Sequence, residues 1–137
     1  MLDRKYIVEH ADDVKQNCIH RGVDADVDQL VQLESERREK QQQAQELNRQ
    51  ANEVSKSIGQ AKDADAREAR KEEGRRLREQ KDAVQAEVDR LENDVLSIQR
   101  LIPNLSHPAA PIGVDDKANL ELRRGNHSPR ELEFSPL

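Results

Sequence analysis

Aromatic side chains are almost missing from these 137 residues: there is one tyrosine, Tyr6, one phenylalanine, Phe134, and no tryptophan, while charged residues make up 37%. Such a composition cannot fill a thick globular core, and it offers few rings on which nucleic-acid bases could stack. Cys18 is the single cysteine, which excludes an internal disulfide. Its place four residues after Val14 on a short helix points to buried packing, with a redox role as the lesser alternative. The five glycines, Gly22, Gly59, Gly74, Gly113 and Gly125, stand singly, so no glycine-rich loop is present to cradle a phosphate. The four histidines, His10, His20, His107 and His127, are too far apart for a local metal motif, and no metal site is expected. Neither a signal peptide nor an apolar run of 18 residues is found, and the expectation is a soluble cytoplasmic protein without a membrane partner. Carboxylates are plentiful but spread over solvated helix faces, so no catalytic pair is expected among them.

What the chain does have is periodicity between Val27 and Ile102. Leu30, Leu33, Arg37, Lys40, Ala44, Leu47, Ala51, Val54, Ile58 and Ala61 recur at alternating steps of three and four, the spacing of a heptad seam on one helix. Arg67, Arg70, Gly74, Leu77, Lys81, Val84, Val88, Leu91, Val95 and Ile98 repeat that alternation, with Ile102 one step beyond. The two seams mirror each other, because the residue numbers of each couple add to 128: Leu30 with Ile98, Leu33 with Val95, Leu47 with Lys81, Ala51 with Leu77. High charge also suits a disordered chain, but disorder does not produce ten consecutive matched layers. The fold class is therefore all-α, a long antiparallel two-helix coiled-coil hairpin over residues 26–102. A turn is expected at Lys62-Asp-Ala-Asp-Ala66, with Asp63 or Asp65 as N-cap of the second helix. Arms of about 36 residues reach roughly 54 Å at a rise of about 1.5 Å per residue.

The flanks complete the architecture. Residues 1–25 read as two short helices, one around Asp3 to Val8 and one from Ala11, with Gly22 as the stop. Ile7, Val14, Cys18 and Ile19 give them an apolar face that the hairpin base near Leu30 and Ile98 can cover. Asp26 caps the first long helix, with Gln29 at capping-box spacing. Arg37, Lys40 and Lys81 at seam positions are expected to pack their stems while their heads reach water, and their asymmetric placement also disfavours slipped pairings. The outer layers are thinner, since Val54 faces Gly74 and Ile58 faces Arg70, so the tip is expected to be the more mobile end. Pro103 is expected to end the second long helix and to open an extended proline-rich connector. Asn119-Leu-Glu-Leu-Arg123 and Glu131-Leu-Glu-Phe134 then alternate as strands do. Residues 103–137 are thus expected to be an extended connector and tail leading into a further domain.

Net charge is −5, which by itself does not suggest a nucleic-acid binder, but the charge is polarised. Residues 1–36 carry nine acidic and four basic side chains, whereas residues 56–81 carry nine basic and six acidic. Arg67, Lys71, Arg75 and Arg78 fall at i, i+4, i+8 and i+11, within an arc of about 80° on a helix. Lys56 and Lys62 can extend this stripe from the other arm. Glu68, Glu72 and Glu79 are near enough to neutralise part of it, so spacing alone leaves two readings open: a solvated, salt-bridged face or a ridge that tracks phosphates.

The order of parts, Met1-Leu-Asp, then Arg21-Gly-Val-Asp-Ala-Asp26, then the hairpin, resembles the N-terminal arm of bacterial seryl-tRNA synthetases, which are class II aminoacyl-tRNA synthetases. The most specific match is Ile102-Pro-Asn-Leu-Ser-His-Pro-Ala-Ala-Pro-Ile-Gly113, followed by Asp115-Asp116 and Asn119, which looks like that family's passage from arm to catalytic domain. The resemblance implies an arm that lies against the long variable arm and elbow of serine tRNA, often across a homodimer. Recognition is by shape and backbone, with the anticodon unread. On this basis Lys56, Lys62, Arg67, Lys71, Arg75 and Arg78 are the expected tRNA-binding residues. The family's attachment of serine to tRNA needs ATP with magnesium, which the resemblance assigns to a catalytic domain outside this chain; no cofactor is expected within it. After Arg123-Arg124 the family commonly has tryptophan and glycine, whereas here Gly125-Asn-His-Ser-Pro129 follows. The isolated chain is expected to be a monomer, since its seams satisfy each other. The alternatives are a stand-alone coiled-coil interaction protein derived from such an arm, or a prefoldin-like holdase, which would leave the proline connector unexplained.

Overall fold

A computed structural model describes residues 1–107, 109–110 and 112–113. Among them all regular structure is helical: α1, Arg4–Glu9; α2, Ala11–His20; α3, Val27–Ile58; and α4, Ala64–Gln99. The long helices pack on each other, and α1 and α2 pack at one end of the pair. Both expected strands, Asn119–Arg123 and Glu131–Phe134, lie outside the described residues, as does His127.

Each helix boundary has a local cause. Asp3 caps α1 through a 3.1 Å bond from the Lys5 N–H, and Asp26 caps α3 through a 3.0 Å bond from the Gln29 N–H. Helix α2 ends in a Schellman arrangement, with Val23 N–H on Cys18 O at 2.9 Å and Gly22 N–H on Ile19 O at 3.1 Å. This needs positive φ at Gly22, which is 65°. Asp63 caps α4 by accepting the Ala66 N–H at 2.6 Å. The turn is thus Gly59–Asp63, earlier than the expected Lys62–Ala66, because a cap at Asp63 places Ala64, Asp65 and Ala66 in the first turn of the helix. At the other end α4 stops at Gln99 and not against Pro103. Leu101 and Ile102 donate to Ile98 O and Gln99 O in a tighter turn before the proline is reached.

Register follows the mirror rule to within one residue. A Cβ on Gly74 would lie 3.6 Å from Val54 Cγ1, Arg67 Nε reaches Ala61 O at 3.3 Å, Lys40 Nζ meets Glu87 at 2.8 Å, and Arg37 Nε lies 3.3 Å from Glu92. These couples run in opposite directions along α3 and α4, as an antiparallel hairpin requires. The base is the thick end. Ile7, Val14, Cys18, Val27, Leu30, Val95, Ile98 and Ile102 form one buried cluster, each apolar side chain worth about 1.5–3 kcal/mol before chain entropy is subtracted. Burial pushes the Cys18 thiol pKa up, which leaves it as packing. Toward the tip Leu47, Val54, Ile58 and Leu77 are only half-buried, although Ala51, Ala61 and Gly74 are buried.

Three details differ from the sequence expectation. Ile19 is 68% exposed, because Val14, Asn17 and Cys18 form the inward stripe of α2 and Ile19 is turned about 100° from Cys18. Arg37 does not send its head to water: it donates two 2.9 Å bonds to Glu34, whose carboxylate is buried. Arg67 continues the seam in number but is exposed, since it stands opposite the non-helical turn. Lys40 and Lys81 do reach outward, to Glu87 at 2.8 Å and Asp82 at 3.2 Å.

The connector is held to the brace. Asn17 donates from Nδ2 to Asn104 O at 3.1 Å and accepts the Ser106 N–H on Oδ1 at 3.0 Å. Arg21 adds a 2.6 Å bond to the same carbonyl. The side-chain amide of Asn17 therefore pairs with the connector backbone as a neighbouring peptide group would.

Candidate nucleic-acid interface

The basic stripe lies on the first half of α4, where about three turns carry Arg67, Lys71, Arg75 and Arg78 along roughly 16 Å of axis. All four are exposed, as are Lys56 on α3 and Lys62 in the turn. Arg78 Nη2 donates to Ser55 Oγ at 3.0 Å, which ties the lower end of the stripe to the residue preceding Lys56. Arg67 Nε donates to Ala61 O at 3.3 Å, which ties the upper end to the residue preceding Lys62. The structure thus brings the two lysines of the other arm to the two ends of the α4 stripe.

Of the carboxylates expected to screen these cations, Glu72 pairs with Arg75 at 3.3 Å. Among the described residues no ion pair within 4.0 Å joins Glu68 or Glu79 to the stripe, and Lys56, Lys62, Arg67, Lys71 and Arg78 form none. The contrast with mid-arm is informative: there Arg49 is held by Glu46 and Glu53, each at 2.6 Å. A cation without a carboxylate partner can pair with a phosphate without breaking an existing ion pair.

Arg70 belongs to this region although its spacing marked it only as a seam residue. It is half-buried and donates from Nη1 to the carbonyl of Ser57 in the last turn of α3. Its seam position opposite Ile58 gave no sign in the sequence that the side chain turns to a backbone acceptor. No metal cluster accompanies the site: among the described residues no three His, Cys, Asp or Glu side chains converge. Among the described residues no helix is long and apolar enough to cross a membrane.

Comparison with known proteins decides the family. The family model described as seryl-tRNA synthetase N-terminal domain matches residues 1–106. This chain belongs to that family. A serine–tRNA ligase of Rhodopirellula baltica is 50% identical over all 137 residues, and one of Rubrobacter xylanophilus is 38% identical over 136 residues, 99% of the chain. A serine–tRNA ligase of Treponema denticola is 34% identical over 136 residues. In each case the chain spans 32% of the relative's length.

Proposed function

We propose that this chain is the tRNA-binding arm of a serine–tRNA ligase, the part that selects serine tRNA through its long variable arm and elbow. The observation that carries the reading is the 50% identity to a serine–tRNA ligase across the whole chain. Physical chemistry agrees with the mode of recognition. A lever with exposed cations at its tip and hardly any aromatic side chains suits contact with RNA backbone and shape, which needs charge and reach but no stacking platform. The six residues assigned to the contact are Lys56, Lys62, Arg67, Lys71, Arg75 and Arg78. In this reading the remainder of the longer protein binds ATP with magnesium, joins serine to the tRNA and forms the homodimer, in the cytoplasm. The isolated arm is a monomer, because its seam is filled from within.

Titration of the 137-residue chain with serine tRNA, and with a tRNA that has a short variable arm, tests the proposal at fixed salt. Serine tRNA should bind more tightly. Equal binding of both, or binding of neither, would remove the assignment.

A further inference from the structure

The turn between the arms is held from below by α4. Ser57 O, in the last turn of α3, accepts the N–H groups of Gly59 and Gln60, the latter at 3.1 Å, and also the guanidinium of Arg70. Arg67 Nε holds Ala61 O at 3.3 Å, and the Ala61 side chain is 5% exposed. The last carbonyls of a helix carry partial negative charge and lack intrahelical donors, so an arginine directed at them both satisfies and neutralises that end. Arg70 therefore points its charge into the protein, between the two arms, while its neighbour Lys71 is exposed.

Resting on the tRNA-binding reading above, we propose that Arg70 is a positioning residue for RNA binding. It holds the Gly59–Asp63 turn so that Lys62 stays in register with the α4 stripe, and it neutralises no phosphate itself. A turn freed from Arg70 would have to be ordered at the moment of binding, which lowers affinity without removing a charge contact. The two roles separate by salt. Each cation on a phosphate contributes to the slope of log affinity against log salt concentration, and a positioning residue does not.

The test compares Arg70→Gln, Arg70→Lys and Lys71→Gln in the 137-residue chain, titrated with serine tRNA at several salt concentrations, with helicity checked by circular dichroism. Arg70→Gln should lose about fivefold in affinity, the equivalent of ordering one side chain on binding, with the salt slope unchanged. Arg70→Lys, which keeps a charged donor, should recover most of that loss. Lys71→Gln should lower the slope by roughly 0.7–0.9. In the wild-type chain, the guanidinium N–H resonances of Arg70 should stay in place on adding tRNA while those of Arg75 move. That measurement decides the matter even if Arg70→Gln fails to fold. A slope drop in Arg70→Gln equal to that of Lys71→Gln, wild-type affinity in Arg70→Gln, or a tRNA-induced shift at Arg70 as large as at Arg75 would each overturn this inference and leave tRNA binding intact. A wild-type chain that does not bind serine tRNA would instead overturn the functional reading, and this inference with it.

Discussion

Arg4 of α1 grips Glu92 of α4 through two hydrogen bonds of 2.8 and 2.7 Å, and the same guanidinium lies 3.5 Å from Glu34 of α3. One side chain of the brace thus joins both arms of the hairpin at its base. Gln99 extends the joint, accepting from Arg4 at 3.4 Å and donating to Leu2 O at 2.9 Å. Glu34 is the centre of it, 2% exposed and contacted by Arg4, Arg37 and Arg38. Replacing it with alanine removes the acceptor and leaves clustered arginines facing each other. Glu34→Ala should lower unfolding stability by an amount on the order of 3 kcal/mol in denaturant melts, the usual consequence of breaking a buried ion pair from one side. A loss under about 0.5 kcal/mol, the scale of a surface substitution, would show that this joint does not hold the base together.

The same network sets the acid limit. Burial alone would push the Glu34 carboxyl up, but the hydrogen bonds from Arg37 and Arg38, together with the charges of Arg37 and Arg4, hold it below its ordinary value of 4.5. The hydrogen bond from Arg4 does the same for Glu92. A carboxylate depressed in the folded state contributes stability that is present above its unfolded pKa and is lost as pH falls through the folded value. The melting temperature should therefore be flat from about pH 6 to 8 and fall below about pH 4. In the double variant Glu34→Gln, Glu92→Gln the fall should be shallower. Parallel acid limbs for the two proteins would place the sensitivity elsewhere.

Leu91→Ala should destabilise more than Leu77→Ala. Leu91 is 4% exposed on the braced half of α4, whereas Leu77 is half-buried and faces the small Ala51. A large-to-small change in a closed site removes about 2–5 kcal/mol, and less where water can enter or neighbours can collapse. Equal losses in denaturant melts would mean that the outer seam is as tightly packed as the base.

What could be read from sequence followed the physics of each feature. The seam, the mirror register, the cap at Asp26 and the choice of Asp63 or Asp65 for the second cap were legible because helical periodicity and short acidic side chains act locally. The turn was displaced by a few residues because couples adding to 128 locate only the midpoint of the pairing. The position of the break depends on which acidic side chain captures the N–H groups. Glu34 was not legible: it lies one residue off the seam, and its burial depends on Arg4, 30 positions earlier in the chain. Local spacing did offer a hint, since Arg37 and Arg38 follow it at i+3 and i+4. Asn17 was hidden for the same reason, its partners Asn104 and Ser106 being distant in sequence. At the tip, the exposure of the cations was predictable, but the inward turn of Arg70 was not.

Gly74→Ala should stabilise the hairpin. The glycine sits in mid-helix with no positive φ, and an added Cβ would lie 3.6 Å from Val54 Cγ1, ordinary contact for a packed methyl group. Alanine in a helix interior is favoured over glycine by about 0.5–1 kcal/mol, through the smaller backbone entropy lost on folding. A gain of that size in chemical denaturation is the expected result. A loss would mean that α3 and α4 approach more closely here than the contact distance implies.

Replacing Arg67, Lys71, Arg75 and Arg78 together by glutamine should remove most tRNA affinity while leaving helicity nearly intact. Glutamine is a good helix former, and all four side chains are exposed, so the packed seam keeps its layers. The structural ties at risk are the bonds of Arg67 to Ala61 O and of Arg78 to Ser55 Oγ, together with the exposed Arg75–Glu72 pair. If each of the four neutralises one phosphate, the slope of log affinity against log salt should fall by roughly 3, at 0.7–0.9 per residue. Lys5→Gln on α1 provides the control, since that lysine is exposed at the acidic base and far along the hairpin from the tip. It should leave the slope unchanged. If the quadruple variant bound serine tRNA with unchanged affinity and unchanged slope, the stripe would be a solvated surface, and the contact would have to be sought on another face of the arm.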